Sequence, residues 1–373
     1  MGLYLQKSIL IILPNLLGGG AERLHVNLAN DWVLRGFDVK FVLMRKEGVL
    51  LPLLSPEIEV FSLNVERIRD LILPLSFFLR KLRPDVVMAA MWPLTSAVVI
   101  SWLFSGRVGK LFLSDHENLT ASYIAQHRVS LNYLRYLIHF TYPLASGIIA
   151  VSNGVKVDLM LLGGLSIEKV QVIYNPAATV VMPIREIPEK QSSLWGSDYC
   201  RRVLAVGRLS PQKDHETLIK AFALMPKGLK AKLTILGEGP LREELLSLSR
   251  LLGVQESVSL PGFIKDTYPW FCSAELFVSS SRWEGFGNVI VEALECGVPV
   301  VSTSCPSGPE EILDGGRYGK LVPVKDPISL ASAMIDSLNE THDRTALILR
   351  SQDFSLKKIS LEYLTYIGLM YDY

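Results

Sequence analysis

The sequence predicts an α/β protein built from two doubly wound parallel sheets in separate lobes. Short Val/Ile/Leu runs alternate with helical periods through the first half, "ILIIL", "VKFVLM", "DVVMAA", "KLFLSD", "GIIAVS" and "VQVIYN". The alternation lapses over residues 179–199, whose two prolines and polar residues carry no sustained period, and restarts as "RVLAVG", "AKLTILG", "SVSLPG", "LFVSSS", "PVVSTS" and "GKLVPV". At 373 residues the chain is also too long for one ordinary core and fits two. The expected organisation is therefore a Rossmann-like lobe over 1–178, a linker over 179–199 and a second Rossmann-like lobe over 200–355. Within 356–373, Leu356, Ile359, Tyr363, Ile367 and Met370 give a last helix one apolar face to bury.

In order along the chain, the first strand runs into Gly18, Gly19 and Gly20 and then a helix opened by Ala21 and Glu22. The triplet lacks G-x-G-x-x-G spacing, so a nicotinamide dinucleotide site fits poorly. Its backbone can approach an anion at the helix N-terminus, or it is only a tight turn. Residues 86–104, "VVMAAMWPLTSAVVISWLF", are long and uncharged enough for a membrane span. Pro84 and Asp85 before it and Pro93 within it instead divide it into a buried strand, Val86 to Ala90, and a core helix, Leu94 to Phe104.

Charge excludes a dedicated nucleic-acid binder. The net is +1; residues 1–178 hold 17 Lys and Arg against 13 Asp and Glu (+4), leaving 21 against 24 (−3) for the rest. A basic face on the first half is compatible with an anionic membrane surface. "VERIRDLILPLSFFLRKLRPD" combines Arg67, Arg69, Arg80, Lys81 and Arg83 with Leu71, Ile72, Leu75, Phe77, Phe78 and Leu79, split by Pro74, and "RVSLNYLRYLIHFTYPLA" is a second such stretch. Ordinary core-facing helices would read the same way. Cys200, Cys272, Cys296 and Cys305 show no CxxC spacing, so neither a disulfide framework nor a metal site is expected. No leader precedes the first strand, and a cytoplasmic location is expected.

In such sheets ligands sit at the carboxyl ends of the strands, so the loops there carry the chemistry. "VGRLSPQKDHETLIKAF" puts Arg208 and Lys213 in one such loop, where two cations can converge on one anion or lie solvated. "SSSRWEGFGNVIVEALECGVPVV" separates Glu284 and Glu292 by seven residues, and "GFGN" between them opens a helix whose N–H groups at Gly287, Asn288 and Val289 suit a phosphate.

Taken in order, "GGGAER", "DHEN", "VSNGV", "VIYNP", "GRLSPQKD", "ILGEGPLREEL", "LPGF", "EGFGNVIVEALECGVPVV" and "SGPEEIL" resemble the retaining, nucleotide-sugar-dependent glycosyltransferases of family 4, which have the GT-B fold. The resemblance covers nearly the whole chain and is greatest to members that build bacterial surface polysaccharides. It implies that Arg208 and Lys213 bind the donor diphosphate, that Glu292 bonds the donor ribose, and that Glu284 stands beside the donor sugar. Gly262, Phe263 and Ile264 would read the base, with Gly237 to Gly239 on the same side. Phe286, Gly287, Asn288 and Val289 would line the donor; Gly287 stands where some members have proline. His116 would lie near the reacting sugar, and Gly19 and Gly20 would approach the donor phosphates when the lobes close. His25, His127, His139, His215 and His342 receive no role.

The resemblance further implies a UDP-linked sugar as donor, a lipid-linked or oligosaccharide acceptor, no cofactor, and a last helix that crosses back to the first lobe. Asp-x-Asp occurs nowhere in the chain, which agrees with metal-independent chemistry. Two rivals are a nucleotide-sugar epimerase of the same fold, revealed by turnover without acceptor, and a noncatalytic nucleotide-sugar-binding scaffold, against which the joint presence of His116, Arg208, Lys213, Glu284 and Glu292 speaks.

Overall fold

The computed structural model describes residues 7–126, 130–178, 194–196 and 201–370. The linker expected over 179–199 lies outside them apart from 194–196, as do Cys200 and His127. The chain divides into two compact units, Met1–Pro176 with Leu356–Tyr373, and Ala177–Ser355.

In the first unit, β1 (Ser8–Leu13), α1 (Gly20–Leu34), β2 (Asp38–Leu43), β3 (Glu59–Ser62), α2 (Ile72–Leu82), β4 (Val86–Ala90), α3 (Leu94–Phe104), β5 (Lys110–Asp115), α4 (Leu119–Gln126), α5 (Leu131–Thr141), β6 (Gly147–Ala150), α6 (Asn153–Gly163) and β7 (Val170–Val172) follow one another. All strands are parallel, in the order β3-β2-β1-β4-β5-β6-β7. Residues 86–104 form β4 and α3, and all five β4 side chains are buried because both faces of the sheet are covered. Pro74 sits in the first turn of α2, where its missing N–H breaks no helical bond, and a 3-10 turn (Ile68–Leu71) precedes it. Among the described residues no helix is long and apolar enough to cross a membrane.

The second unit contains β8 (Arg201–Val206), α7 (His215–Ala223), β9 (Ala231–Leu236), α8 (Arg242–Leu251), β10 (Val258–Gly262), α9 (Tyr268–Ser273), β11 (Leu276–Ser279), α10 (Asn288–Glu295), β12 (Val300–Thr303), α11 (Pro309–Ile312), β13 (Lys320–Val322), α12 (Pro327–Asn339) and α13 (Arg344–Ser351). Its parallel order is β10-β9-β8-β11-β12-β13. Both sheets are thus doubly wound, with the order reversing between β1 and β4 and between β8 and β11. In sheets of this kind such a reversal is where ligands bind, at the carboxyl ends of the flanking strands.

The last helix, α14 (Leu356–Tyr366), belongs to the first unit. Ile359, Tyr363, Leu364 and Ile367 are buried in the core formed by β1, β2, β4 and α1. Burial of this kind contributes about 1.5–3 kcal/mol per large side chain. Trp32 Nε1 on α1 donates to Ser360 Oγ at 3.0 Å, and the Tyr366 ring meets Phe112 of β5 at 5.5 Å.

Candidate functional site

Candidate residues stand at the carboxyl ends of the strands in each sheet, one cluster to each unit. The second unit's is the denser. After β8 the chain enters Gly207–Asp214, and after β11 it enters Ser280–Gly287, so these loops flank the reversal of strand order. They are stitched together: Ser280 Oγ donates to Lys213 O at 2.8 Å, Arg282 N to Gln212 O at 2.8 Å, and Gln212 Nε2 to Trp283 O at 3.0 Å. Arg282 also pairs with the buried Asp214 at 2.8 Å. The result is that Lys213 and Glu284 meet directly, Nζ to Oε1 at 2.6 Å, with Glu284 buried and Lys213 mostly so. The same Oε1 accepts from Ser281 Oγ at 2.6 Å, and Glu284 N donates to Pro306 O at 3.2 Å. Two charges taken this far out of water need such geometry to offset their desolvation.

Arg208 is exposed on the first of these loops, and Phe263 is exposed after β10. Gly237 lies against the Arg208 loop: its N donates to Gly262 O at 2.9 Å, its φ is +144°, and a Cβ there would stand 2.1 Å from Gly207 O. Gly237 and Gly262 are thereby brought beside the loop that carries Arg208, and Gly237 has a packing reason to be glycine besides any ligand. Gly308 is the second such position, with φ +94° and a would-be Cβ 1.7 Å from Phe286 O. The Phe286 side chain, expected to line the donor, is instead turned inward against the Phe354 ring at 5.3 Å, which anchors the loop. Gly287 caps α10, Asn288 and Val289 form its first turn, and Glu292 lies one turn further along.

His215, at the start of α7 behind Lys213, was given no role from sequence. It is buried, and burial first, then the Lys213 charge, lower its pKa to about 4, so it supports the loop as a neutral ring. Cys272 and Cys296 are free thiols whose sulfurs lie 3.5 Å apart; neither periodicity nor spacing in the sequence foretold that proximity. Among the described residues no cluster of His, Cys, Asp or Glu side chains is arranged to hold a metal ion.

In the first unit, Gly19 and Gly20 are exposed, Gly19 capping α1 with φ −69°. His116 follows β5 and its Nε2 lies 2.9 Å from Ser114 Oγ. Against it, at 5.4 Å between ring centroids and 73° between planes, stands His25 of α1. On an apolar helix face His25 reads as core, so sequence alone does not single it out. Asp115, just before His116, was also missed: it is buried, Tyr142 donates to its Oδ2 at 2.7 Å, and burial raises its pKa to about 7.

Residues 200–340 match the family model described as Glycosyl transferases group 1, and residues 18–179 match that described as Glycosyltransferase Family 4. The N-acetylgalactosamine-N,N'-diacetylbacillosaminyl-diphospho-undecaprenol 4-alpha-N-acetylgalactosaminyltransferase of Campylobacter jejuni is 33% identical over 238 residues, 62% of this chain and 63% of that protein. The chain thus spans a little under two thirds of that relative's length. The lipopolysaccharide core biosynthesis glycosyltransferase LpsE of Rhizobium meliloti is 27% identical over 353 residues, covering 93% of this chain and 94% of that protein. Among solved structures, Anabaena HepE in complex with UDP aligns with a TM-score of 0.80 at 23% identity, over 98% of this chain and 100% of that one. At that identity the likeness is one of fold, and the fold is GT-B.

Proposed function

Since the chain belongs to the family 4, group 1 glycosyltransferases, we propose that it transfers a sugar from a UDP-linked donor to a saccharide acceptor carried on a lipid, in the synthesis of a bacterial surface polysaccharide or lipopolysaccharide. The observation that carries this reading is the Lys213–Glu284 pair, made by residues 71 positions apart at the reversal point of the second sheet.

In the reaction a nucleoside diphosphate leaves, and its growing negative charge must be met. Arg208, Lys213 and the N–H groups opening α10 at Gly287, Asn288 and Val289 supply that charge without a divalent ion. A diphosphate beside Lys213 gives the ammonium a second anionic partner, while Glu284 stays fixed by Ser281 and turns its carboxylate to the donor sugar. There it orients hydroxyls and stabilises positive charge on an oxocarbenium-like ring. Glu292 holds the ribose, Gly262 to Ile264 read the base, His116 serves the reacting sugar, and Gly19 and Gly20 approach the donor phosphates and the acceptor. Configuration is retained, with attack from the leaving-group face.

The lipid carrier implies work at a membrane surface, on the cytoplasmic side. Arg67, Arg69, Arg80, Lys81 and Arg83 are exposed around α2 together with Leu73 and Phe77, and α5 exposes Tyr133, Tyr136 and Phe140. Such a mixture suits peripheral binding to anionic lipid. Sedimentation with anionic vesicles, reversed by salt, is the expected result; indifference to lipid charge returns both helices to ordinary packing.

The central test is a screen of UDP-sugars for protection against thermal unfolding, followed by transfer to lipid-linked acceptors with and without chelator. Protection by UDP and chelator-resistant transfer are expected. Loss of all transfer on chelation would sink the metal-free mechanism, and donor turnover unaffected by acceptor would favour an epimerase.

A further inference from the structure

We propose that His25 is a positioning residue for His116: from the second turn of α1 its ring holds the His116 ring edge to face, so that the helix opened by the glycine loop and the histidine at the end of β5 form one rigid constellation. The proposal rests on the reading of His116 as a residue beside the reacting sugar.

His25 is a costly residue where it stands. The buried face of α1 is Ala21, Leu24, His25, Val26, Leu28, Ala29 and Trp32, where an aliphatic side chain fills space without a polar penalty. His25 is fully buried. Its Nδ1 lies 2.8 Å from Ala21 O, one turn back, and a carbonyl oxygen only accepts, so Nδ1 carries the proton. Burial lowers the pKa of His25 to about 4, so near neutral pH the ring is uncharged and Nε2 bears a lone pair. That Nε2 is buried with no hydrogen-bond partner among the described residues. A buried acceptor left unmatched carries a desolvation cost that core filling alone does not explain.

What the ring does touch is His116, at 5.4 Å and 73°. The bond to Ala21 fixes the rotation of His25, and edge-to-face packing passes that fixed orientation on. His116 is in turn held at Nε2 by Ser114 Oγ, while its Nδ1 is buried and unmatched among the described residues. Two rings that meet this closely disfavour charge on either, and burial with the neighbouring His25 holds His116 well below the usual imidazole range. A neutral imidazole bonded at Nε2 to Ser114 Oγ and packed on the fixed His25 ring keeps one orientation, as the alignment of a sugar hydroxyl requires.

The experiment uses the full chain with His25→Phe, which keeps a ring and removes the bond to Ala21, and His25→Asn, which keeps a donor and removes the ring. The nitrogen resonances of the His116 side chain, assigned by their loss in His116→Ala, are followed by long-range proton–nitrogen correlation. UDP affinity is measured by calorimetry, and UDP release is measured from UDP-glucose, UDP-galactose and UDP-N-acetylglucosamine. Both variants are expected to shift or broaden the His116 resonances and to lower turnover at least fivefold, with UDP affinity within twofold of wild type because Arg208, Lys213 and Glu292, the residues proposed to hold UDP, lie in the second unit. Unchanged His116 resonances in a folded variant overturn the proposal. If one variant fails to fold, the other decides. If His116→Ala itself keeps wild-type turnover, the reading of His116 has failed, and the resonances alone then judge whether His25 orders it.

Discussion

At the reversal point of the second sheet a lysine and a glutamate meet at 2.6 Å; beside that of the first sheet two neutral histidines meet edge to face. The two units share a topology, and the loops that leave their strands differ in kind. In the second unit they are bound to each other by side-chain and backbone bonds from Gln212, Ser280, Arg282 and Glu284, and they carry full charges. In the first unit a helix reaches a strand end through one ring contact, and the groups there, His25 and His116, are held uncharged by burial. The difference matches the two tasks proposed for them. A leaving diphosphate needs fixed cations, whereas hydroxyl groups of a sugar need donors and acceptors of fixed direction.

The largest effect should come from breaking the charged half. Lys213→Ala is expected to cost about 2–4 kcal/mol of transition-state stabilisation, roughly 30- to 1,000-fold in transfer. Because Lys213 and Glu284 are bonded to each other, Lys213→Ala combined with Glu284→Gln should fall short of the sum of the single changes by about 0.5–3 kcal/mol. Strict additivity in kcat/KM would show that the pair does not act as one.

Next in size is a purely structural break of the same half. Gly308→Ala puts a methyl group where Phe286 O already stands, at a positive φ, and should destabilise the second unit by about 2 kcal/mol or more. Hydrogen exchange resolved by unit should register the loss there and leave β1 and α1 unchanged. Equal loss in both units would mean that they unfold together, and the contrast between them would not extend to stability.

A smaller effect sharpens the first half. Gly19 has an ordinary φ, and the atoms nearest a Cβ there belong to the flexible end of Glu22. Gly19→Val should therefore change stability by no more than about 0.5 kcal/mol. Transfer should drop about tenfold, some 1.4 kcal/mol, with calorimetric UDP binding kept. Simultaneous loss of UDP binding would mean that the nucleotide needs the glycine loop to bind at all, not only to react.

How far these sites were legible in the sequence follows from the same contrast. The second unit's charged residues lie in short runs, "GRLSPQKD" and "EGFGNVIVE", where spacing and residue type already suggest anion chemistry. The strands announced themselves because both faces are buried, which leaves uninterrupted Ile/Leu runs such as Ile9 to Leu13 of β1. The bond between Lys213 and Glu284 was not legible, since it depends on which strands become neighbours. His25 was invisible for a different reason: on the buried stripe of α1 a histidine takes a core position, and only the fold brings it to His116, 91 residues away. Phe286 illustrates the converse, a residue inside a ligand-binding run whose side chain serves the core.

The smallest expected effect concerns acid. In the second unit His215 has its pKa lowered to about 4 by burial, so between pH 6.5 and 4 the unfolded chain takes up a proton that the folded unit refuses. Asp326, held below the usual carboxylate range by Ser329, and Glu340, held there by Lys320, act in the same sense at lower pH. All three make that unit less stable as pH falls. In the first unit His25 and His116 act likewise, but Asp115, raised by burial to about 7, opposes them: between pH 7 and 3.8 its folded form keeps a proton that the unfolded form has lost, so its contribution improves as pH falls. Burial raises Asp158 and Glu362 in the same direction. Hydrogen exchange followed from pH 7 to pH 5 should therefore show protection declining faster in β8 and β9 than in β1 and β4. Asp115→Asn, which keeps an oxygen to accept from Tyr142, removes the main opposing group and should make the first unit more acid-sensitive than the second, since two histidines then act there against one. A wild-type first unit that loses protection sooner than the second would mean that the neutral pair, not Asp115, governs it.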